Sequence, residues 1–256
     1  FLDGQPEGTD GYRIQITKVP ITDEERMLSK GISAIFDNPE NGVNRQQPWS
    51  IVNGVFEFHS ALARRQVKSQ AKGGVPFKTT LPIQIIPAQA LRAERFSPKA
   101  ANALRMIYGI ESWLPDFMEG SVELYRNIPG ASDWYFKWVP EESMHIRASR
   151  LLLIETDNKD PEELDEFREE VLQTKWVTPY TTQRRMAIYP YPQEYLTGGT
   201  DYLEARVMKQ DGAHLSARVL TEIGSDEFYH STVFEKIISV YASLDPEGTK
   251  EDIYDV

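Results

Sequence analysis

The sequence predicts an all-α fold: a helical bundle over residues 89–256, preceded by an irregular extension over residues 1–88. Three observations carry this. From about Ala88 onward, apolar residues recur at helical spacing in long segments. Short breaks marked by Pro, Gly and Asn separate those segments. The first third of the chain is instead rich in those breakers and has only short periodic stretches. Long helices joined by short loops pack as antiparallel neighbours, which is a bundle.

In the extension, Thr22 to Phe36 reads as a helix N-capped by Thr22 or Asp23. Trp49 to Gln70 reads as a longer helix ended by Gly73-Gly74, and Val75 to Pro87, with its prolines, as an extended connection. Five helical segments make the bundle. The first spans Pro98 to Arg126 and stops at Asn127-Ile-Pro-Gly130. The second spans Ser132 to Glu155 with Ser132 as N-cap, and the third Pro161 to Lys175, where Asp160-Pro161 supplies a cap and a first-turn proline. The fourth spans Pro192 to Lys209, and the last Ala213 to Leu244, ending before Pro246 and Gly248.

Composition narrows the chemistry. A chain of 256 residues is long enough to bury one sizeable core. No run of about 18 apolar residues is present, so no transmembrane helix is expected. Cysteine is absent, which excludes disulfides, thiolate metal sites and cysteine nucleophiles and fits a reducing compartment. A net charge of −11 argues against nonspecific nucleic-acid binding. Yet between Phe58 and Ile110 there are nine basic residues and one acid, Glu94. Such an island is either a solvated helical face or a docking surface for an acidic partner, with Arg64, Arg65 and Lys68 as its densest part.

The four histidines are His59, His145, His214 and His230. Two have Glu three residues earlier, in Glu142-Ser-Met-His145 and Glu227-Phe-Tyr-His230. That spacing puts a carboxylate and an imidazole on one helix face, within reach of one metal ion. One such motif means little, and Glu142 and Glu227 could instead be surface carboxylates paired with Lys or Arg. A di-iron bundle needs one further Glu from each of two more helices. Glu111, among Ile110, Trp113, Leu114 and Phe117, sits in the helix before Glu142; Glu194, beside Tyr191, Tyr195 and Leu196, sits in the helix before Glu227. Glu204 competes for the second position. Oxygen and imidazole donors without thiolate suit non-haem iron, or manganese in its place. His59 and His214 have no matching Glu and read as ordinary polar residues, and Trp134, Trp138 and Trp176 as core aromatics.

From Leu91 to Asp245 the chain resembles the soluble acyl-acyl-carrier-protein desaturases, a family of ferritin-like fold. The resemblance rests on Glu111-Ser-Trp-Leu-Pro115, on Trp138-Val-Pro-Glu141-Glu142-Ser-Met-His145, on Gln193-Glu194-Tyr-Leu-Thr197 and on Asp226-Glu227-Phe-Tyr-His230. The ending Leu244-Asp-Pro-Glu-Gly248 is similar as well. The third motif favours Glu194 over Glu204. The resemblance implies a ferritin-like bundle carrying two Fe ions on Glu111, Glu142, His145, Glu194, Glu227 and His230. It implies O2 activation with electrons from ferredoxin, an acyl carrier protein that presents the fatty acyl chain, and a homodimer. Asp226 would orient an iron-bound histidine, and Thr197 would face the O2 side. A soluble protein of the cytoplasm or plastid stroma is expected.

The chain also departs from the family. Residues 1–90 do not align with the family's N-terminal helices, and the loop between the Glu111 and Glu142 helices is short. Pro190 and Pro192 precede Glu194 and Gly198-Gly199 follow it, which predicts a kinked or shortened helix starting near Pro192. Two other functions therefore stand beside desaturation: another di-iron oxygenase, such as a hydroxylase or N-oxygenase, and a non-catalytic ferritin-like subunit.

Overall fold

The computed structural model describes residues 20–38, 47–59 and 82–256. The described residues form an all-α bundle with an irregular N-terminal region, as the sequence predicts. In chain order they are α1 (Asp23–Asp37), β1 (Trp49–Val52), β2 (Val55–His59), β3 (Pro82–Pro87), a 3-10 turn (Ala88–Ala93), α2 (Pro98–Glu111), α3 (Leu114–Tyr125), α4 (Pro129–Glu155), α5 (Pro161–Gln173), α6 (Gln183–Ile188), α7 (Pro190–Gln210), α8 (His214–Leu244) and α9 (Pro246–Asp255). The longest shared face lies between α7 and α8. Helix α2 rests on α4 and α7, α1 rests on α4 and α8, and β1 touches α4.

Several boundaries differ from expectation for identifiable reasons. Trp49 to Gln70 is not a helix where it is described: β1 and β2 pair antiparallel, with Val52 opposite Val55. Asn53 and Gly54 between them both have positive φ (51° and 72°), the conformation a two-residue hairpin turn requires. The expected helix Pro98 to Arg126 is two helices. Pro115 has no N–H for the Glu111 carbonyl, so α2 ends at Glu111 and α3 starts at Leu114. Helix α4 starts at Pro129 rather than Ser132, whose hydroxyl donates to the Tyr125 carbonyl at 2.8 Å instead of capping. Helices α6 and α9 were not expected.

Helix α7 corrects the expected kink. It begins at Pro190 and runs 21 residues, so Pro190 and Pro192 occupy its first turn, where backbone N–H groups have no intrahelical partner anyway. Other caps are as expected. Thr22 Oγ1 accepts from the Glu25 N–H at 3.1 Å while Glu25 accepts from the Thr22 N–H at 2.7 Å, and Asp160 caps α5. The N-terminus of α8 takes its cap from afar: the Glu94 carboxylate accepts from the N–H groups of Leu215 and Ser216 at 2.6 and 2.8 Å.

Two apolar clusters fill the interior. One joins the sheet (Trp49, Phe56, Phe58) to Leu152 and Leu153 of α4 and Leu220 and Ile223 of α8. The other joins α1 (Leu28, Ile32) to Trp134 and Trp138 of α4 and Phe234 and Ile237 of α8. On both long helices the polar segments Glu141–His145 and Asp226–His230 fall between the two clusters.

Candidate metal centre

Helix periodicity builds the centre. On α4, Glu142 and His145 share the inward face; on α8, Glu227 and His230 do the same. Helix α7 adds Glu194, and these five side chains are all buried. Glu142, Glu194, Glu227 and His230 each bring a donor atom within 4.8 Å of the others. His145 Nδ1 lies 2.8 Å from Glu227 Oε1 and 3.3 Å from Glu142 Oε2. His230 Nδ1 lies 2.8 Å from Glu142 Oε1, 3.2 Å from Glu194 Oε2 and 3.6 Å from Glu227 Oε2. Glu142 and Glu227 thus each turn one oxygen toward each imidazole, and the two rings stand 5.8 Å apart. Glu111, the last residue of α2, is outside this tight group but lines the same cavity as Glu142, Glu194 and Glu227.

The second nitrogen of each ring meets an acid outside the cluster. His145 Nε2 faces Asp226 Oδ2 at 3.4 Å, and the same oxygen accepts from Gln47 Nε2 at 2.8 Å and from the Trp49 indole at 2.7 Å. The Trp49 ring also stacks on His145. On the other side, His230 Nε2 lies 2.8 Å from Glu141 Oε2. A proton shared at Nε2 leaves the Nδ1 lone pair directed at the carboxylates, the arrangement a metal-bound histidine requires. Asp226 of α8 thus stands beside His145 of α4, and Glu141 of α4 beside His230 of α8. The sequence carries a signal for this exchange: each Glu-x-x-His is preceded by an acid, Glu141 or Asp226.

The electrostatics fit a cation. Burial pushes Glu111 and Glu194 well above the usual carboxylate range, and the neighbouring Glu142 and Glu227 push further. Burial would also raise Glu142 and Glu227, but the facing imidazoles outweigh it and hold both below their ordinary value. Burial likewise opposes charge on His145 and His230, and the carboxylates overcome it, lifting both well above an ordinary histidine. Although His145 Nδ1 and Glu227 Oε1 approach to 2.8 Å, neither is in hydrogen-bonding geometry, and Glu142 Oε1 is likewise unbonded. Without a metal the carboxylates hold protons on the two imidazoles, and a cation that displaced those protons would meet the same converging nitrogen and oxygen donors in a dry setting.

A cavity of about 290 Å³ opens on Glu111, Glu142, Glu194 and Glu227. Its other walls are mostly aromatic and aliphatic, with Trp113, Phe117, Trp138, Trp176, Tyr189 and Leu196. Phe117 stacks on Trp176, which stacks on Tyr189. Thr197 lines the cavity too, and its hydroxyl donates to the Gln193 carbonyl at 3.0 Å. Trp134 and Trp138 present edges near His230 at 5.9 and 6.2 Å while belonging to the core. Glu204 is buried but lies outside the cluster. Asp201 was not anticipated: it is fully buried, neither of its oxygens has a hydrogen-bond partner, and burial together with Glu227 raises its carboxyl well above the ordinary value. Arg64, Arg65 and Lys68 lie outside the described residues. Farther along the basic island, Arg92 pairs with Glu155 at 2.8 Å and Arg105 stacks over Phe167, so these cations are engaged within the chain.

Three helices, α4, α7 and α8, thus send carboxylates and imidazoles toward one buried point, and α2 adds Glu111 to the wall of the adjoining cavity. A family model described as Fatty acid desaturase matches residues 111–256, and the chain belongs to that family. It is accordingly a desaturase-type oxidoreductase. The matched segment opens at Glu111 and includes all the cluster residues described above. No curated protein sequence matches the chain. Among the described residues, no helix is long and apolar enough to cross a membrane.

Proposed function

We propose that the protein is an acyl-carrier-protein desaturase whose two iron ions are held by Glu111, Glu142, His145, Glu194, Glu227 and His230. The observation that carries this is the pair of buried carboxylates, Glu142 and Glu227, each turned toward both imidazoles beside an apolar cavity. Two carboxylates shared between two histidines match a dinuclear site better than a mononuclear one. Bound iron would supply the O2 chemistry, taking two hydrogens from the acyl chain and two electrons and two protons from outside, with two waters released. Asp226 and Glu141 hold the Nε2 protons so that both Nδ1 atoms stay available. The aromatic wall of Phe117, Trp138 and Trp176 excludes water and packs the alkyl chain, and the Thr197 hydroxyl gives the O2 side one polar group. Ferredoxin is the proposed electron donor and an acyl carrier protein the substrate bearer, docking by charge at Arg64, Arg65 and Lys68, in a homodimer.

Incubation of the iron-loaded protein with stearoyl carrier protein, ferredoxin and reductant tests this reading, and a monoene is the expected product. Recovery of saturated acyl chains alone, from protein that has retained its iron, would contradict it. One observation favours a second reading. The cavity, at about 290 Å³, is at the low end for small-molecule pockets and suits a shorter substrate, as for a di-iron hydroxylase or N-oxygenase. Hydroxylated or N-oxidised products would select that alternative.

A further inference from the structure

A second concavity, of about 610 Å³, runs between the C-terminal half of α7 and the first turns of α8. Its polar lining consists of Arg206, Lys209, His214, Arg218, Tyr202 and Thr221, with two alanines as floor and no carboxylate. Four basic side chains around one groove are unexpected in a chain of net charge −11. Arg218 pairs with Glu222 at 2.6 Å, whereas Arg206, Lys209 and His214 have no ion pair among the described residues. The first N–H groups of α8 take no part, because Glu94 already accepts from them.

The groove is separate from the metal centre. Tyr202 and Arg206 follow Gln193 and Thr197, which line the other cavity, by about two and a half helical turns. They therefore face the opposite flank of α7, and a ligand here does not extend into the acyl cavity.

We propose that this groove binds an organic phosphate of the nucleoside-diphosphate kind. Arg206 and Lys209 supply charge-assisted donors for phosphate oxygens, and Arg offers the planar fork that matches them. Tyr202, 40% exposed and backed by Phe228 at 5.6 Å, supplies a flat wall for the base. The volume falls within the range of small-molecule pockets, and the concave shape favours a small ligand over the flat face of an acidic protein.

Calorimetric titration of the full chain with ADP and with pyrophosphate, at low ionic strength, tests this. ADP should bind, pyrophosphate should compete, and Arg206→Glu with Lys209→Glu should weaken ADP binding at least about tenfold. Both side chains are exposed, so the circular dichroism spectrum and iron loading should be unchanged in that variant. Failure of both probes to bind, or equal ADP binding by the double variant, would overturn the proposal. So would binding of an acidic carrier protein in place of ADP that is lost in the same variant. None of these outcomes bears on the desaturase assignment, which the monoene assay tests separately.

Discussion

Glu142, His145, Glu227 and His230 were legible because helical spacing brings a motif three residues apart onto one face. Their supports were less so. Trp49 lies 177 residues before the Asp226 it bonds, a separation no local pattern spans. Glu204 makes a testable case among the buried acids. Burial lifts its carboxyl from 4.5 to about 7, with Asp211 adding to the rise and Lys99 opposing it. Its folded value is above its unfolded one, so between those limits the unfolded chain loses the proton first. Stability therefore falls as pH rises through that window, with the full penalty above about 7. Glu204→Gln removes the penalty. Its melting temperature at pH 8 should exceed wild type by about 2–4 °C, which corresponds to roughly 1 kcal/mol, and the gap should close near pH 4. An equal difference at both pH values would mean that the carboxyl does not titrate in this way.

Whole helices were easier to read than their joints. The long periodic segments are helices, but Asn53-Gly54, a strong hairpin signal, lay inside a stretch whose apolar residues also fit a helix. Helix α9 is polar over most of its surface and lacks an apolar stripe to announce it. Ion pairs hold it and its cap instead, from Arg185 to Asp252 within the helix and from Arg184 to the N-cap Asp245, each at 2.6 Å. Gly198-Gly199, which looked like a weakness in α7, divides into two roles. A Cβ on Gly198 would meet the Gly224 carbonyl at 3.0 Å and Glu227 Cβ at 3.1 Å, whereas a Cβ on Gly199 would meet nothing within 4 Å. The first glycine lets α7 and α8 approach closely enough for Glu194 to reach the cluster; the second is spare. Gly198→Ala should cost about 1–3 kcal/mol in denaturant unfolding and lower iron retention. Gly199→Ala should stabilise by about 0.5–1 kcal/mol. Equal effects at the two positions would contradict this view of the helix crossing.

At the scale of the whole molecule, two apolar clusters hold α4 and α8 above and below a polar layer, and that layer carries the candidate metal centre. The N-terminal region, which lies outside the matched residues 111–256, supplies Gln47 and Trp49 as donors to the Asp226 carboxylate beside His145, so it reaches the candidate site as well as the core. The direct measurement of the central claim is iron content per chain after anaerobic loading with Fe(II), for wild type and for Glu142→Ala and Glu227→Ala. About two irons per chain are expected for wild type, and less than about half that for either variant, with helical content retained. Less than about one iron in the loaded wild type, or undiminished iron in both variants, would contradict the assignment of these residues as the metal centre.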